Sequence, residues 1–227
     1  MDTHSEPTSE PRLRLNRERV LRAAVDIADA HGIETLSMRR LASDLSVEAM
    51  ALYNHIKDKE DLLDGMVEIV LSEIDMSQTG TDWGSALRER SLSARDVMLR
   101  HSWAPGLLES RNGMSPTILR YFDSIIGMLT DGGFSIELIH HAMHAIGSHM
   151  LGFNQTLFKS TDVGPEEAAI MMRHGPTLEQ YPNLTTLIMA VDHNGQSIVG
   201  EGCDALFEFE FGLDLIIQGL ERIRTAS

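Results

Sequence analysis

Cysteine is nearly absent. Cys203 stands alone in 227 residues, so neither an intrachain disulfide nor a cysteine-built zinc site can form, and a reducing compartment is expected. Aromatic residues are scarce at 5%. Thirteen methionines point instead to an adaptable interior. Nowhere do about 18 apolar residues run together, and the first thirty residues carry Glu, Asp and Arg where an export signal would be apolar. No membrane partner is expected, and the cytoplasm is the expected location. Strand signals are missing too: there is no apolar–polar alternation, and Asn194-Gly195 sits in a polar stretch rather than between β-branched runs. No internal repeat is visible. Bases are outnumbered, 19 Lys and Arg against 34 Asp and Glu for a net charge of −15, a balance that ordinarily argues against a nucleic-acid partner.

What is present changes that reading. With 42% hydrophobic residues the chain can bury a real core, which excludes a fully disordered protein. The charge is also uneven. Residues 1–11 carry a net −3, residues 12–60 a net +1 and residues 61–227 a net −13. Arg12, Arg14, Arg17, Arg19 and Arg22 crowd one short stretch of that middle segment. The chain is a basic head on an acidic body. Three parts follow: a tail at 1–11, rich in Pro, Ser, Thr and Glu and expected to be disordered; a head at 12–60; and a body at 61–227.

The head reads as short helices. Asn16 can cap a first one carrying Val20, Ala24, Ile27 and Ala28 at helical spacing, closed by His31-Gly32. Ser37 can cap a second, with Leu41 and Leu45 on one side. A break at Ser46-Val47-Glu48 leads to a third with Leu52, Tyr53 and Ile56 on its inner face. Asp58 and Asp61 then make a capping-box pattern for a long helix through Leu63, Met66, Val67, Val70 and Ile74. Two helices joined by so short a turn, with another behind them, form a helix-turn-helix.

Such a head can bind DNA. Arg12, Arg14, Arg17 and Lys59 can meet phosphates, while a helix starting near Glu48 can enter the major groove and present Ala49, Met50, Ala51, Asn54 and His55. Arg39 can fork onto guanine, and Asn54 can pair with a base edge or a phosphate. The competing reading makes Arg39 and Arg40 solvated charges and Tyr53 a core residue.

The body is helical as well, with runs near 83–101, 105–110, 116–131, 135–158 and 204–224. In the last run Leu206, Phe207, Phe209, Phe211, Leu213, Leu215, Ile216, Ile217, Leu220 and Ile223 lie almost all round the helix, so it should be covered from two sides. A second copy of the chain is the expected cover, seated on Phe209, Leu213, Ile216, Ile217 and Leu220. Gly147 and Gly152 in the run 135–158 would let a neighbouring backbone approach.

The stretches Leu36-Ser37-Met38-Arg39-Arg40-Leu41-Ala42 and Met50-Ala51-Leu52-Tyr53-Asn54-His55-Ile56-Lys57-Asp58-Lys59-Glu60-Asp61-Leu62-Leu63 resemble the DNA-binding signature of the TetR family of bacterial repressors. More weakly, Trp83, Gly133-Phe134-Ser135, Ala145-Ile146-Gly147, Leu151-Gly152 and the run Phe211 to Glu221 resemble the C-terminal domain of its tetracycline-responsive members in order and spacing. The resemblance implies an all-α homodimer with a ligand pocket in each body. It implies base-edge contacts from Arg39, Ala49, Met50 and Ala51, and phosphate contacts from Ser37, Tyr53, His55 and Lys59. One departure falls in the turn, where the family usually has Gly and this chain has Ser46: either a strained Ser is tolerated or the turn differs.

In the body, Leu108 and Thr156 fall where the tetracycline-binding members hold their magnesium–drug complex with His and Glu, and Arg90, Ala94 and Ile125 fall on their drug contacts. Leu cannot ligate a metal, so the scaffold is inferred and the tetracycline is not. Met98, Leu108, Phe122, Ile125, Met143 and Gly147 then describe an adjustable apolar cavity for a flat or greasy molecule. His140 and His144 align with cavity-facing positions. Their spacing can hold zinc, yet no third ligand and no hydrolytic Glu accompany them; hydrogen bonds to a ligand, or plain polar groups near the dimer seam, are the other readings. No metal and no cofactor are expected.

The function expected is therefore a ligand-responsive repressor that partners double-stranded operator DNA, itself and a small molecule. A corepressor-dependent regulator or a body that only dimerises are the alternatives. An enzyme is not expected, for the chain lacks a Ser-His-acid order, a phosphate-cradling glycine loop and paired carboxylates with a cleft.

Overall fold

The computed structural model describes residues 14–77, 82–110, 115–153, 180–183, 186 and 205–226. Among them it is all-α. Nine helices follow in order: α1 (Arg17–His31), α2 (Met38–Asp44), α3 (Ala49–Leu52), α4 (Lys59–Ser72), α5 (Trp83–Arg100), α6 (Ala104–Ser110), α7 (Pro116–Asp131), α8 (Ile136–Gly152) and α9 (Ala205–Ala226), with a 3-10 turn at Ile33–Thr35 after α1. The expected tail 1–11, Arg12, Thr156, Asn194-Gly195, Cys203 and the end of the run 135–158 lie outside the described residues. No described helix is long and apolar enough to cross a membrane.

Local chemistry accounts for the helix ends. Asn16, Ser37, Asp58 and Ser135 each accept a backbone N–H from the residue three positions on, satisfying one orphan donor of α1, α2, α4 and α8. The capping pair at α4 has a twist. Asp58 caps Asp61 N–H, but the Asp61 carboxylate reaches back to Lys57 N–H at 2.8 Å, one residue before the cap.

Two helices end in the same six-residue motif with different residues at its strained position. After α7, Phe134 N–H bonds Leu129 O at 3.2 Å and Gly133 N–H bonds Thr130 O at 2.9 Å, with Gly133 at φ +81°. After α2, Val47 N–H bonds Ala42 O at 2.9 Å and Ser46 N–H bonds Ser43 O at 3.1 Å, with Ser46 at φ +54°. Both are Schellman turns. The turn of the helix-turn-helix thus keeps its geometry, and Ser46 bears the left-handed backbone that glycine would adopt without penalty.

The chain divides into two compact units, residues 1–77 with 92–124 and residues 78–91 with 125–227. In the first, α1 packs on α4 over Val20, Ala24, Ile27, Leu62, Met66 and Val70, while Leu41, Leu52 and Ile56 close the core beneath α2 and α3. In the second, α8 packs against α9. There His149 stacks on Phe209 with ring centroids 4.7 Å apart and donates from Nε2 to Phe209 O at 3.0 Å. Gly212 makes room for it: a Cβ at that position would stand 2.6 Å from the His149 ring. The end of α9 is pinned by Arg224, which bonds Gly132 O at 3.1 Å and Glu221 at 2.7 Å, and Trp83 donates to the same Glu221 at 3.2 Å while meeting Phe134 edge-on at 4.6 Å.

Candidate nucleic-acid interface

The first unit builds its candidate site from the ends of three short elements. The Ser37 cap fixes the start of α2 and leaves Arg39 exposed beside Ser43 and Asp44 in a shallow recess. The Ser46 turn then sets α3. From α3 and the turn after it, Leu52 and Ile56 point into the core, whereas Met50 is 74% exposed, Tyr53 45% exposed and Asn54 also exposed. Ala49, Ala51 and His55 are half-buried, and Lys59 is exposed at the first position of α4. A polar and apolar mixture presented outward from a helix of one turn is what reading base edges requires.

Two expectations need correcting. Tyr53 is not on the inner face of the third helix: α3 ends at Leu52, and the change of direction turns the phenol outward. Nor does Arg17 present itself to phosphate. Its guanidinium forks onto Asp61 at 2.7 and 2.9 Å and donates to His55 O at 3.1 Å. The hydrogen bonds from Arg17, outweighing the cost of partial burial and helped by the Lys57 N–H, hold the Asp61 carboxyl below the ordinary aspartate value. Arg17 is a brace that ties the start of α1 to the start of α4 and to the end of the turn that carries His55.

The residues expected to line a ligand cavity divide between the units. Ala94, Met98, Leu108 and Phe122 belong to the first and Arg90, Ile125, His140, Met143, His144 and Gly147 to the second. Ala94, Met98, Ile125 and Arg90 are buried, while Leu108, Met143 and Gly147 are half-buried. Phe122 is 38% exposed. His140 and His144 are exposed on α8 with ring centroids 4.7 Å apart, and no group of three or more metal-ligating side chains exists among the described residues.

The seam residues also separate. Phe209, Leu213 and Leu220 are buried within their own subunit, so the chain itself covers that side of α9, with Phe209 stacked on His149 of α8. Ile216 and Ile217 are half-buried and Gly152 is exposed. Leu206, Phe207, Phe211, Leu215 and Ile223 are the large apolar side chains that α9 leaves exposed, and none of them was expected in the seam. Their signal lay in the sequence, since an all-round apolar helix must show one side outward, but which side was not legible there.

Comparison with known proteins agrees with this geometry. Residues 20–66 match the family model of bacterial regulatory proteins of the tetR family, and residues 76–224 match that of the tetracyclin repressor-like C-terminal domain. The chain is 28% identical to the HTH-type transcriptional repressor DrrR1 of Streptomyces coeruleorubidus over 97% of its own length and 82% of that protein's. It is 31% identical to the class C tetracycline repressor protein of Escherichia coli over 93% of each. Among solved structures it is similar to Streptomyces coelicolor ActR in complex with actinorhodin, with a TM-score of 0.71 at 25% identity, covering 93% of this chain and 99% of that one.

Proposed function

The chain belongs to the TetR family of bacterial transcriptional repressors, a DNA-binding regulator with a ligand-binding C-terminal domain and not an enzyme, and from that premise we propose that it is a homodimer released from a palindromic operator by a small apolar or aromatic effector. The outward face of α3 and its flanks carries this reading: Met50, Tyr53 and Asn54 stand exposed over a core closed by Leu41, Leu52 and Ile56. In it the head is 12–60 and the body 61–227. Arg39, Ala49, Met50 and Ala51 meet base edges, Ser37, Tyr53, His55 and Lys59 meet phosphates, and Asn54 takes either. Two heads one helical turn apart, about 34–36 Å, read two half-sites.

The exposed side of α9 supports the dimer. Phe211 and Leu215 would be covered by a second copy together with Ile216 and Ile217, and a Cβ at Gly147 or Gly152 would meet nothing within 4 Å among the described residues, which leaves space for a partner backbone. The buried apolar pair Ala94 and Met98 in the first unit favours a greasy effector, and the ActR–actinorhodin complex offers a precedent for a bulky organic one. A ligand releases the operator only if it binds the spread form of the dimer more tightly than the DNA-competent form.

The test is a mobility-shift titration with a duplex selected by this protein from a randomised pool, run with a panel of planar aromatic compounds and accompanied by light scattering. A symmetric selected site bound by a dimer and released by one or more compounds is expected. Tightening by a compound would make the molecule a corepressor system. Light scattering that shows a monomer at micromolar concentration would overturn the dimer.

A further inference from the structure

A histidine that the DNA-binding and ligand-binding roles leave unused sits between two carboxylates. His101, in the turn between α5 and α6, is 5% exposed. Its Nδ1 lies 2.9 Å from both carboxylate oxygens of Asp29 on α1, and its Nε2 lies 3.2 Å from Oε2 of Glu73, the C-cap of α4. Asp29 also accepts from Trp103 Nε1 at 2.6 Å, and Glu73 accepts from Arg100 at 2.6 Å. The charged groups facing the ring are thus Asp29 from α1 and Glu73 from the end of α4, with Arg100 from the end of α5 behind Glu73; Trp103 is neutral. All lie in the first compact unit. They join a helix within the residues matched by the DNA-binding family model to a turn within those matched by the ligand-domain model.

Ionised carboxylates only accept hydrogen bonds, so a ring with carboxylate oxygens at both nitrogens must carry hydrogen on both. The two-armed clasp is an imidazolium structure. A neutral ring has one N–H and keeps one arm. The Nδ1 arm is shorter and reaches both Asp29 oxygens, so Glu73 is the arm that opens, with the Nε2 lone pair then facing a carboxylate oxygen. Burial alone would raise the Glu73 carboxyl, but the hydrogen bonds from His101 and Arg100 outweigh it and hold that group below the ordinary glutamate value, so Glu73 is ionised wherever the protein works and cannot supply the missing proton.

We propose that His101 is a proton-operated latch, closed between Asp29 and Glu73 when doubly protonated and opened at the end of α4 when one proton leaves, so that operator affinity falls as pH rises. The direction rests on the function proposed above, with the closed clasp taken as the arrangement that presents α3 to DNA. The sign follows: interactions that need the protonated ring are present at low pH and lost as it rises.

Glu73→Gln separates a latch from a mere strut. Its amide N–H can donate to the neutral Nε2, so both arms survive proton loss. Between about pH 6 and about pH 8.5 the wild-type protein should lose roughly tenfold in affinity for its selected duplex, within the usual range of couplings between sites, whereas Glu73→Gln should stay flat to within about twofold. His55, on the proposed DNA face, is common to both proteins and cancels in the comparison. Superimposable profiles overturn the latch, and so does a uniform loss in Glu73→Gln at every pH, which would make the cluster a structural ion pair. Nitrogen-15 spectra of the His101 ring, recorded without DNA or effector, give an independent reading: two protonated nitrogens at low pH and one at high pH support the proposal, and a singly protonated ring at about pH 6 refutes it. That spectrum stands even if no compound ever releases the operator, so failure of the effector reading and failure of the latch are distinguishable.

Discussion

Ser46→Gly should stabilise the protein. Ser46 sits at φ +54°, where a side chain costs about 1–2 kcal/mol relative to right-handed backbone. Glycine removes that cost but loses more backbone freedom on folding, about 0.5–1 kcal/mol. The net gain is about 0.5–1 kcal/mol. For a chain of this size each kcal/mol moves the melting midpoint by about 2–4 °C, so the expected rise is about 1–4 °C. Both backbone hydrogen bonds of the turn, Val47 to Ala42 and Ser46 to Ser43, are independent of the side chain and persist. Ser46→Ala is the control, because alanine keeps the left-handed penalty while losing the hydroxyl; it should match the wild type to within about 0.5 kcal/mol. The assay is thermal unfolding of the three proteins followed by circular dichroism, with a urea series to compare midpoints at constant slope. A glycine variant no more stable than the alanine variant would refute the argument, showing that the turn relaxes away from positive φ or that the hydroxyl holds it by a contact worth as much as the strain. Operator affinity at 25 °C should change by less than about twofold, since a folded head presents the same α3 in either variant.

Two further outcomes follow from the interface. Lys59→Ala and Tyr53→Ala should each weaken binding to all duplex sequences alike, and Lys59→Ala should also reduce the salt slope by about one, measured by fluorescence anisotropy at several salt concentrations; a change of sequence preference would count against the docking. The Asp61 carboxyl, held low chiefly by the hydrogen bonds from Arg17, contributes stability that is present above the ordinary aspartate pKa of about 4 and lost as pH falls through its lower folded value. Asp61→Asn should therefore cost about 1 kcal/mol or less near neutral pH, the pair being partly exposed, and the difference from wild type should vanish in acid; a constant difference down to about pH 2 would show that packing, not charge, holds α1 to α4.

The parts of this fold that were legible in the sequence are those written in neighbouring residues. Caps at Asn16, Ser37 and Asp58 lie three positions from the amides they satisfy, and helical apolar spacing gave all the main body helices to within a few residues at their described ends. Ser46 was legible as a conflict between residue and turn, and the fold resolves it in favour of strain, at φ +54°. What escaped was decided by partners far along the chain. Arg17 looked like a phosphate ligand because nothing near it announces Asp61, 44 residues away. Tyr53 looked buried because periodicity assumes that a helix continues, and α3 does not. On α9 every face is apolar, so period cannot tell the face that meets α8 from the face left outward; only the stacking of His149 on Phe209 and the burial of Leu213 choose. The His101 cluster spans 72 residues to Asp29 and leaves no local trace at all.

The distribution of charge gives the interface its economy. A net −13 after residue 60 repels phosphate from the body, while residues 12–60 carry only a net +1, and one of their bases, Arg17, is further committed to Asp61 outside that segment. The head cannot hold DNA by bulk attraction. In the proposed docking, binding comes from a few close contacts made when α3 is seated in the groove. A head so weakly basic depends on accurate placement of α3 more than a strongly basic one would. The brace that ties the starts of α1 and α4 to the backbone of His55 is the device in this molecule that serves that placement.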